Sequence, residues 1–598
     1  MFEDTLRQGL SVELQQSPYL ALISDRTVQR TLTLMGQPKD ARLTPEIAQK
    51  VCERTGSAAV LEGSIALVGS QYVLGLRATD CNTGNILNQE QAVAAKREDV
   101  LNSLSEMSRK FRTKVGESLA SVERHSTPLA EATTRSFEAL KAYSTAMKLL
   151  LSSGNYEQSL PFLRRTVEID PTFAMAYALL GHSYSASGGS VLSAENTTKA
   201  WQLRDRVSDR ERFFIDFLYD RQVTGNLEKA YQTLELWSQT YPRGAVTANP
   251  QGLIAGISTQ GTGRFERAIQ AALGEIAVDP EGAIPYSTLA SAYFFTDRFP
   301  EAESAIQRAF ARKLEVPNLL VFRYNIAVLT GDQEQMDRAV GLAKGNRMAE
   351  DRMAHAEALA LARSGRLQAA RRSSTRAVEV AQQRERELAA KYAAARAVWE
   401  AICGNASEGK TGAMAALEIS KGRDVEYAAG LALALSGASS QSEALADDLV
   451  KRFPEDTFVQ FTYAPVLRAL AALGRGKPAD SVERLEIARR YELAVNGLNF
   501  PNFNLGGLHS AYVRGQAFMA ARRNAEAGAE FQKILNHRGL VGLDPIGALA
   551  HLQLGRVFVL SGDRIKAKAA YEAFLALWRE ADPDVPILKS AKAEYARL

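Results

Sequence analysis

Residues 174–184 read AMAYALLGHSY, and residues 283–293 repeat the same arrangement as AIPYSTLASAY. In both stretches an aromatic residue stands at the fourth place, leucine at the seventh, a small residue at the eighth and tyrosine at the eleventh. Apolar residues three and four apart line one face of a helix, and a small residue on that face lets a second helix approach closely. The two stretches therefore predict the first helices of two equivalent helical hairpins.

The same unit recurs along the chain with a period of 34 residues. This spacing separates Leu140 from Ala174 and the turn glycine Gly331 from Gly365. An Asp-Pro step ends the second helix of two units, because proline cannot continue a helix. The steps are Asp170-Pro171 and Asp279-Pro280. This pattern resembles the tetratricopeptide repeat (TPR). It predicts a mainly α fold in which residues 136–598 form a TPR superhelix, an α-solenoid of about a dozen helix pairs.

Residues 1–124 show a different pattern, which predicts a small α+β domain before the solenoid. Two period-two stretches, 58–68 and 71–81, flank Gly69-Ser70, a typical two-residue hairpin turn. That turn pairs Val68 with Gln71. Residues 86–94 follow as a further strand, and Tyr19 to Ile23 is another candidate strand. Helix signals begin at Phe2, so a first strand of the domain is expected to be missing from this sequence, and the polar residues 125–135 are predicted to be a linker.

The hairpin register brings two of the three cysteines close together. Cys81 falls opposite Ala58, and Cys52 ends the helix that leads into that strand. Their sulfur atoms could therefore form a disulfide, which would indicate an oxidising compartment. The alternative is a pair of buried thiols that act as small apolar side chains. The three cysteines and six histidines show no metal-site spacing, so no metal is expected.

Composition argues against several other classes of protein. The 72 basic and 68 acidic side chains leave a net charge of +4, which gives no electrostatic reason to expect nucleic acid as a partner. No apolar run reaches the ~18 residues of a membrane-spanning helix. Residues 404–411 match the phosphate-binding pattern GxxxxGK[ST], but an Ala-rich helical stretch precedes them where a P-loop has a strand. No cofactor and no catalytic residue are therefore expected.

A surface for a protein partner is the remaining candidate site. In TPR arrays the first helices line the inner curve, and their second, fifth, ninth, twelfth and thirteenth places point into it. Mixed polar and aromatic side chains at those places suit a peptide or protein segment. The predicted inner-face residues are Lys148, His182, Ser185, Tyr219, Gln222, Ser291, Phe294, Phe295 and Arg556.

Three longer segments carry a closer resemblance. Residues 51–81, 127–144 and 203–220, together with the C-terminal stretch from Phe531, are similar to the C-terminal half of bacterial, acidobacterial-type, eukaryotic-like serine/threonine kinases with TPR arrays. The resemblance implies an upstream kinase or DNA-binding domain, which this sequence lacks. It also implies a location outside the cytoplasm, on the periplasmic face, with the cytoplasm as the alternative. The small domain also looks loosely like the amino-terminal domain of TolB-type periplasmic proteins.

These observations together predict a non-enzymatic interaction scaffold or sensory module that binds a protein segment in the TPR groove. The first alternative is the regulatory half of a serine/threonine kinase whose catalytic domain lies outside this chain. The second alternative is a nucleotide-binding protein that uses residues 404–411.

Overall fold

The computed structural model describes residues 2–38, 40–153, 156–241, 261–314, 317–346, 349–495 and 507–598. The protein is mainly helical, with one small antiparallel sheet near its amino terminus. None of the helices in the described ranges combines the length and apolar character needed to cross a bilayer.

The amino-terminal domain packs helices against a three-stranded sheet of order β1-β2-β3. Its elements are α1 (Phe2–Gln15), α2 (Asp25–Leu34), α3 (Pro45–Thr55), β1 (Ala59–Val68), β2 (Gln71–Asp80), β3 (Ile86–Ala94) and α4 (Val100–Lys114). The predicted hairpin register is confirmed, since Val68 pairs with Gln71 and Ala59 pairs with Asp80. The prediction of a strand at residues 19–23 is wrong, because this stretch is neither helix nor strand.

Residues 125–135 pack closely against both of their neighbours. They include the short helix Leu129–Ala132, and the Leu129 side chain is fully buried. Thr134 donates a hydrogen bond of 2.5 Å to Asp170 in the repeats. A continuous apolar core runs from α1 and α4 through this segment into the first three repeats. The segment therefore joins the two parts rigidly, and the domain boundary at residue 124 stays a prediction.

Eleven helix pairs follow within the described residues, and each is named as a numbered repeat from here on. The pairs are repeat 1 (Phe137–Ser153, Tyr156–Ile169), repeat 2 (Ala174–Ser187, Ser190–Gln202), repeat 3 (Asp209–Gln222, Leu227–Thr240), repeat 5 (Ala283–Phe295, Phe299–Ala311), repeat 6 (Pro317–Thr330, Gln333–Ala343), repeat 7 (Glu350–Arg363, Leu367–Gln382), repeat 8 (Arg386–Ile402, Ala406–Ile419), repeat 9 (Arg423–Leu435, Ser439–Arg452), repeat 10 (Ala464–Gly474, Pro478–Glu486), repeat 11 (Gly507–Ala520, Asn524–Asn536) and repeat 12 (Ile546–Leu560, Arg564–Leu577). Number 4 is given to the single helix Phe265–Val278, and Pro586–Tyr595 is the final helix.

The two helices of a pair differ in burial. Nearly every residue of the first helices Ala174–Ser187 and Arg386–Ile402 is buried. The second helix Arg564–Leu577 buries only Ala567, Tyr571 and Phe574. First helices thus form the interior of the superhelix, and second helices form its outer wall. The predicted α-solenoid of TPR type is confirmed.

Successive turns of the superhelix rest on one another. The turn between the helices of repeat 3 meets the loop before repeat 10, where the Thr457 N–H donates to the Gly225 carbonyl at 3.0 Å. The equivalent turn of repeat 7 meets the loop after repeat 12, where the Asp582 N–H donates to the Gly365 carbonyl at 3.0 Å. Contacts between residues more than 200 positions apart therefore wind the array tightly.

Candidate functional site

The inner face of repeats 5–8 is closed. Ser291, Phe294 and Phe295, which are predicted to contact a partner, are all buried there, and the Ser291 hydroxyl donates to the Thr288 carbonyl at 2.9 Å. Phe294 and Phe295 belong to an aromatic cluster with Phe322. These side chains therefore present little free surface to another molecule.

A segment of the same chain closes this face. Residues 538–544, named the internal segment here, belong to the connection between repeats 11 and 12 and lie against the aromatic cluster. Its apolar side chains Leu540, Val541 and Leu543 are buried. The space left between the internal segment and the inner face is about 30 Å³, room for about one water molecule. The segment thus fills this groove almost completely.

Polar contacts hold both ends of the internal segment. Arg538 donates to the Leu329 carbonyl, and the Gly539 N–H donates to Asp297 Oδ1 at 2.6 Å. At the other end, the Asp544 carboxylate lies 2.8 Å from His509 Nε2. The backbone carbonyl of Asp544 accepts a hydrogen bond from Arg363 at 3.2 Å. Burial lowers the pKa of Arg363 to about 10.

Two other predicted inner-face residues are engaged in packing within the array. Tyr219 stacks on Trp201 of the preceding repeat, with ring centroids 4.4 Å apart. Gln222 Oε1 accepts hydrogen bonds from Ser193 and Thr197, also in the preceding repeat. Both side chains therefore point toward the neighbouring helix. The helical register predicted for repeat 3 differs from the observed one.

Arg556 is paired with the final helix. It donates to both carboxylate oxygens of Glu594, at 2.9 and 2.8 Å, and Tyr571 donates to the same carboxylate. A bidentate pair of this kind fixes the guanidinium in place. Arg556 therefore anchors the end of the chain.

The inner face of repeats 1–3 keeps accessible polar groups. Lys148 is exposed, and His182 and Ser185 are partly exposed. The His182 ring packs edge-on against Tyr156 at 5.3 Å and against Phe214 at 6.3 Å. Its Nδ1 atom is buried and has no hydrogen-bond partner among the described residues. Burial, with a contribution from Arg221, lowers the pKa of His182 to about 4, so the ring is neutral at pH 7.

Arg221 is the main charge of this surface. It is partly accessible and forms no ion pair with any acid in the described ranges. Burial lowers the pKa of Arg221 to about 10. Tyr156 raises this pKa, and the positive charge of Arg423 lowers it further. Arg423 is itself neutralised by Asp424 and Asp456. The surface formed by Tyr156, His182 and Arg221, named the basic inner face here, thus carries one uncompensated positive charge.

Sequence reasoning missed Arg221 and the internal segment. Arg221 precedes the predicted Gln222 by one residue. Phe214 and Leu218 are buried, and Arg221 lies on the same helix face, so a register based on those two residues places Arg221 inward. The signal for the internal segment is an apolar run bounded by glycines in a long connection. Residues 537–545 join repeats 11 and 12, whereas residues 420–422 suffice between repeats 8 and 9.

The phosphate-binding pattern at residues 404–411 lies in the wrong structure for a P-loop. Helix Arg386–Ile402 precedes it, and residues 406–411 are already helical. The helix engages backbone N–H groups that a P-loop would direct at phosphates. Pro586 and Ile587 also cover this turn, since the Ile587 N–H donates to the Cys403 carbonyl at 3.3 Å.

The cysteines of the amino-terminal domain are joined. The structure links Cys52 to Cys81 as a disulfide with Cα atoms 5.7 Å apart. Cys403 is a buried free thiol whose pKa is raised by burial. Within the described residues, no group of three or more His, Cys, Asp or Glu is placed to hold a metal ion.

Comparisons with known proteins find likeness only at the level of structure. No protein-family model and no curated protein matches the sequence. Among solved structures, the human IFIT1 dimer with PPP-AAAA is 14% identical, with 73% of this chain and 89% of that chain covered and a TM-score of 0.32. The P58(IPK) TPR domain is 14% identical, with 65% and 98% covered and a TM-score of 0.19.

The Cut9–Hcn1 hetero-tetramer of the APC/C is 11% identical, with 77% of this chain and 96% of that chain covered and a TM-score of 0.32. At these identities and TM-scores, the comparisons support no conclusion about partners or activity. The fold assignment rests on the helix pairs of the chain and on their spacing.

Proposed function

We propose that this protein is a non-catalytic scaffold that holds an acidic segment of a partner protein on the basic inner face. The observation that carries the proposal is the largely buried Arg221 side chain, which forms no ion pair with any acid in the described part of the chain. A buried cation without a partner is costly, so such a group is retained where a ligand supplies the missing charge.

The charge of the surface selects the class of ligand. Arg221 stays protonated at pH 7, His182 is neutral, and the nearby Arg423 is already compensated. One uncompensated positive charge matches a single carboxylate. A carboxylate can accept two parallel hydrogen bonds from the N–H groups of a guanidinium. Lys148, exposed on the first helix of repeat 1, offers a second and weaker contact at the rim.

The proposal is tested with an array of acidic peptides, each paired with a copy in which Asp and Glu become Asn and Gln. We expect a subset of the acidic peptides to bind the full chain. Their affinity should fall at least about tenfold when the peptide carboxylate is replaced by an amide, and equally when Arg221→Met removes the guanidinium. Arg206→Met, which removes an exposed arginine of a nearby loop, is the matched control. Binding that ignores Arg221 would exclude this surface.

Free-protein stability provides a second readout. If Arg221 awaits a ligand, Arg221→Met should leave the ligand-free protein as stable or more stable, because a desolvated charge is lost. A marked loss of stability in urea denaturation would instead make Arg221 a structural residue.

A second candidate function is the sensory half of a membrane-associated kinase system. The Cys52–Cys81 link favours it, because disulfides persist outside the reducing cytoplasm. Mass spectrometry of unreduced protein from its native host tests this candidate. A linked peptide pair supports an extracytoplasmic location, and free thiols at both positions contradict it.

A further inference from the structure

The internal segment, residues 538–544, makes the contacts that a bound peptide would make. Its backbone N–H at Gly539 and its carbonyl at Asp544 are held by side chains of repeats 5 and 7. Its side chains Leu540, Val541 and Leu543 lie against the aromatic surface of repeats 5 and 6. Backbone contacts give affinity and side-chain pockets give specificity in peptide recognition generally.

Two positions show that this contact is built closely. A Cβ atom on residue 539 would lie 1.8 Å from the Phe294 carbonyl oxygen, so only glycine fits there. Asp297, which accepts a hydrogen bond from the Gly539 N–H, has φ +61. The equivalent turn positions of repeats 6 and 7 are Gly331 and Gly365, which also have positive φ. An aspartate is strained at such a position, yet it supplies the acceptor for the Gly539 N–H. The turn of repeat 11 also lacks the glycine, with Arg522 at φ +59, so what distinguishes Asp297 is the hydrogen bond that it accepts from the internal segment.

The connection that carries the internal segment spans residues 537–545 and includes the four-residue helix Arg538–Val541. Residues 539–543 are all buried against other repeats, although connections usually run over the surface. The connection thus delivers an apolar segment into the groove.

We propose that the inner face of repeats 5–8 is a second docking surface, for a partner peptide with an arginine, a glycine next to it, two aliphatic residues and an aspartate at the far end. The internal segment is the tethered occupant of this surface and competes with that partner. A tethered occupant acts at an effective concentration of the order of millimolar, so only a tight or abundant partner displaces it.

The test uses a synthetic peptide of residues 536–545, NHRGLVGLDP, and the full chain with Gly539→Ala. The added Cβ should expel the internal segment, so the peptide should bind this variant at least about tenfold more tightly than the wild type, as measured by calorimetry. The peptide carrying the same Gly→Ala change should bind neither protein. Gly528→Ala, in the second helix of repeat 11, is the matched control because only ordinary contact awaits its Cβ.

A second variant covers the case in which Gly539→Ala fails to fold. Asp297→Gly removes the acceptor and relieves the strained φ without adding atoms. Hydrogen exchange should then accelerate at residues 539–543, while repeats 11 and 12 stay protected. Joint loss of protection in the internal segment and both repeats would overturn the proposal, because the segment would be an inseparable part of the wall.

Two further outcomes also overturn the proposal. One is a folded Gly539→Ala variant that does not bind the peptide. The other is a stable dimer of that variant in mass photometry, with the internal segment of one copy seated on the other. The occupant would then be a second copy of this chain. Neither outcome affects the basic inner face, since its test depends on Arg221.

Discussion

Two contacts between superhelical turns hold this molecule together, and they use different chemistry. The polar stack, repeats 1–3 on repeats 7–10, is built from buried charges: Arg384 joins Glu157 to Asp351, and Lys391 donates to the Gly188 carbonyl at 3.3 Å. The apolar stack is the contact of repeats 5–8 with repeats 11 and 12 and with the final helix. It is built from buried side chains and backbone hydrogen bonds. There Trp578 donates to the Arg363 carbonyl at 2.9 Å.

The difference suggests a division of labour. Buried ion pairs contribute little net stability but penalise any arrangement that separates them, so the polar stack fixes how the turns align. Apolar contact is less directional and tolerates exchange of one apolar segment for another. The apolar stack is accordingly where the internal segment sits, and the polar stack borders the basic inner face.

The largest effect is expected when one ion of the polar stack is removed. Arg384→Ala removes the cation that pairs with the fully buried Asp351 carboxylate and leaves it the Tyr392 hydroxyl. We expect a loss of about 3–5 kcal/mol in unfolding free energy from urea denaturation. Hydrogen exchange should locate the loss in repeats 1, 7 and 8, and uniform loss across all repeats would contradict a separate polar stack.

A smaller loss is expected in the apolar stack from Gly365→Ala. The new Cβ would lie 2.6 Å from both Ala581 and the Trp578 ring, at a residue with φ +73. Crowding and backbone strain together should cost about 3 kcal/mol.

Gly331→Ala separates the two causes of that loss. Gly331 is the same turn position one repeat earlier, with φ +78 and open space around its Cβ, so only strain of about 1 kcal/mol should remain. Equal losses in the two variants would show that the Gly365 contact with the end of the chain is unimportant.

Acid should weaken the polar stack indirectly, because Asp424 pairs with Lys391, which in turn donates to the Gly188 carbonyl of repeat 2. Arg423 and Lys391 hold the pKa of Asp424 below its usual 3.8 despite burial. A carboxylate with a depressed folded pKa stabilises the fold fully above its unfolded pKa and loses that contribution as pH falls through the folded value. Asp424→Asn should therefore cost about 2 kcal/mol at pH 7 and progressively less below pH 4. A difference that persists unchanged at the lowest accessible pH would contradict the pairing.

The smallest effect is expected at an exposed pair of similar geometry. Arg475 donates to both oxygens of Glu443, but both side chains are partly open to solvent. Arg475→Ala should change the unfolding free energy by less than about 1 kcal/mol, and the difference should shrink in high salt. A loss as large as that of Arg384→Ala would show that burial does not distinguish the two ion pairs.

The sequence predicts the local structure of this protein well. The spacing of Gly331 and Gly365, the aromatic places around Tyr177 and Tyr286, and the hairpin at Gly69 all depend on neighbours within one repeat or one hairpin. Helix periodicity and turn chemistry are local properties, so helix pairs and strand register can be derived from them.

The winding of the array could not be predicted in the same way. It depends on contacts such as Glu157 with Arg384 and Gly539 with Asp297, whose partners lie more than 200 residues apart. No periodic pattern links such positions. The expectation of one continuous open groove therefore failed for Phe294 and Phe295, which contact a segment of their own chain.

Small-angle X-ray scattering of the full chain tests the central claim, that the turns stack and the inner face of repeats 5–8 is closed. Stacked turns predict a radius of gyration of about 25–30 Å, near the value for a compact body of 598 residues. The eleven described helix pairs in an open array, at ~10 Å per helix, would have a radius of gyration above about 40 Å. The larger value would contradict the account.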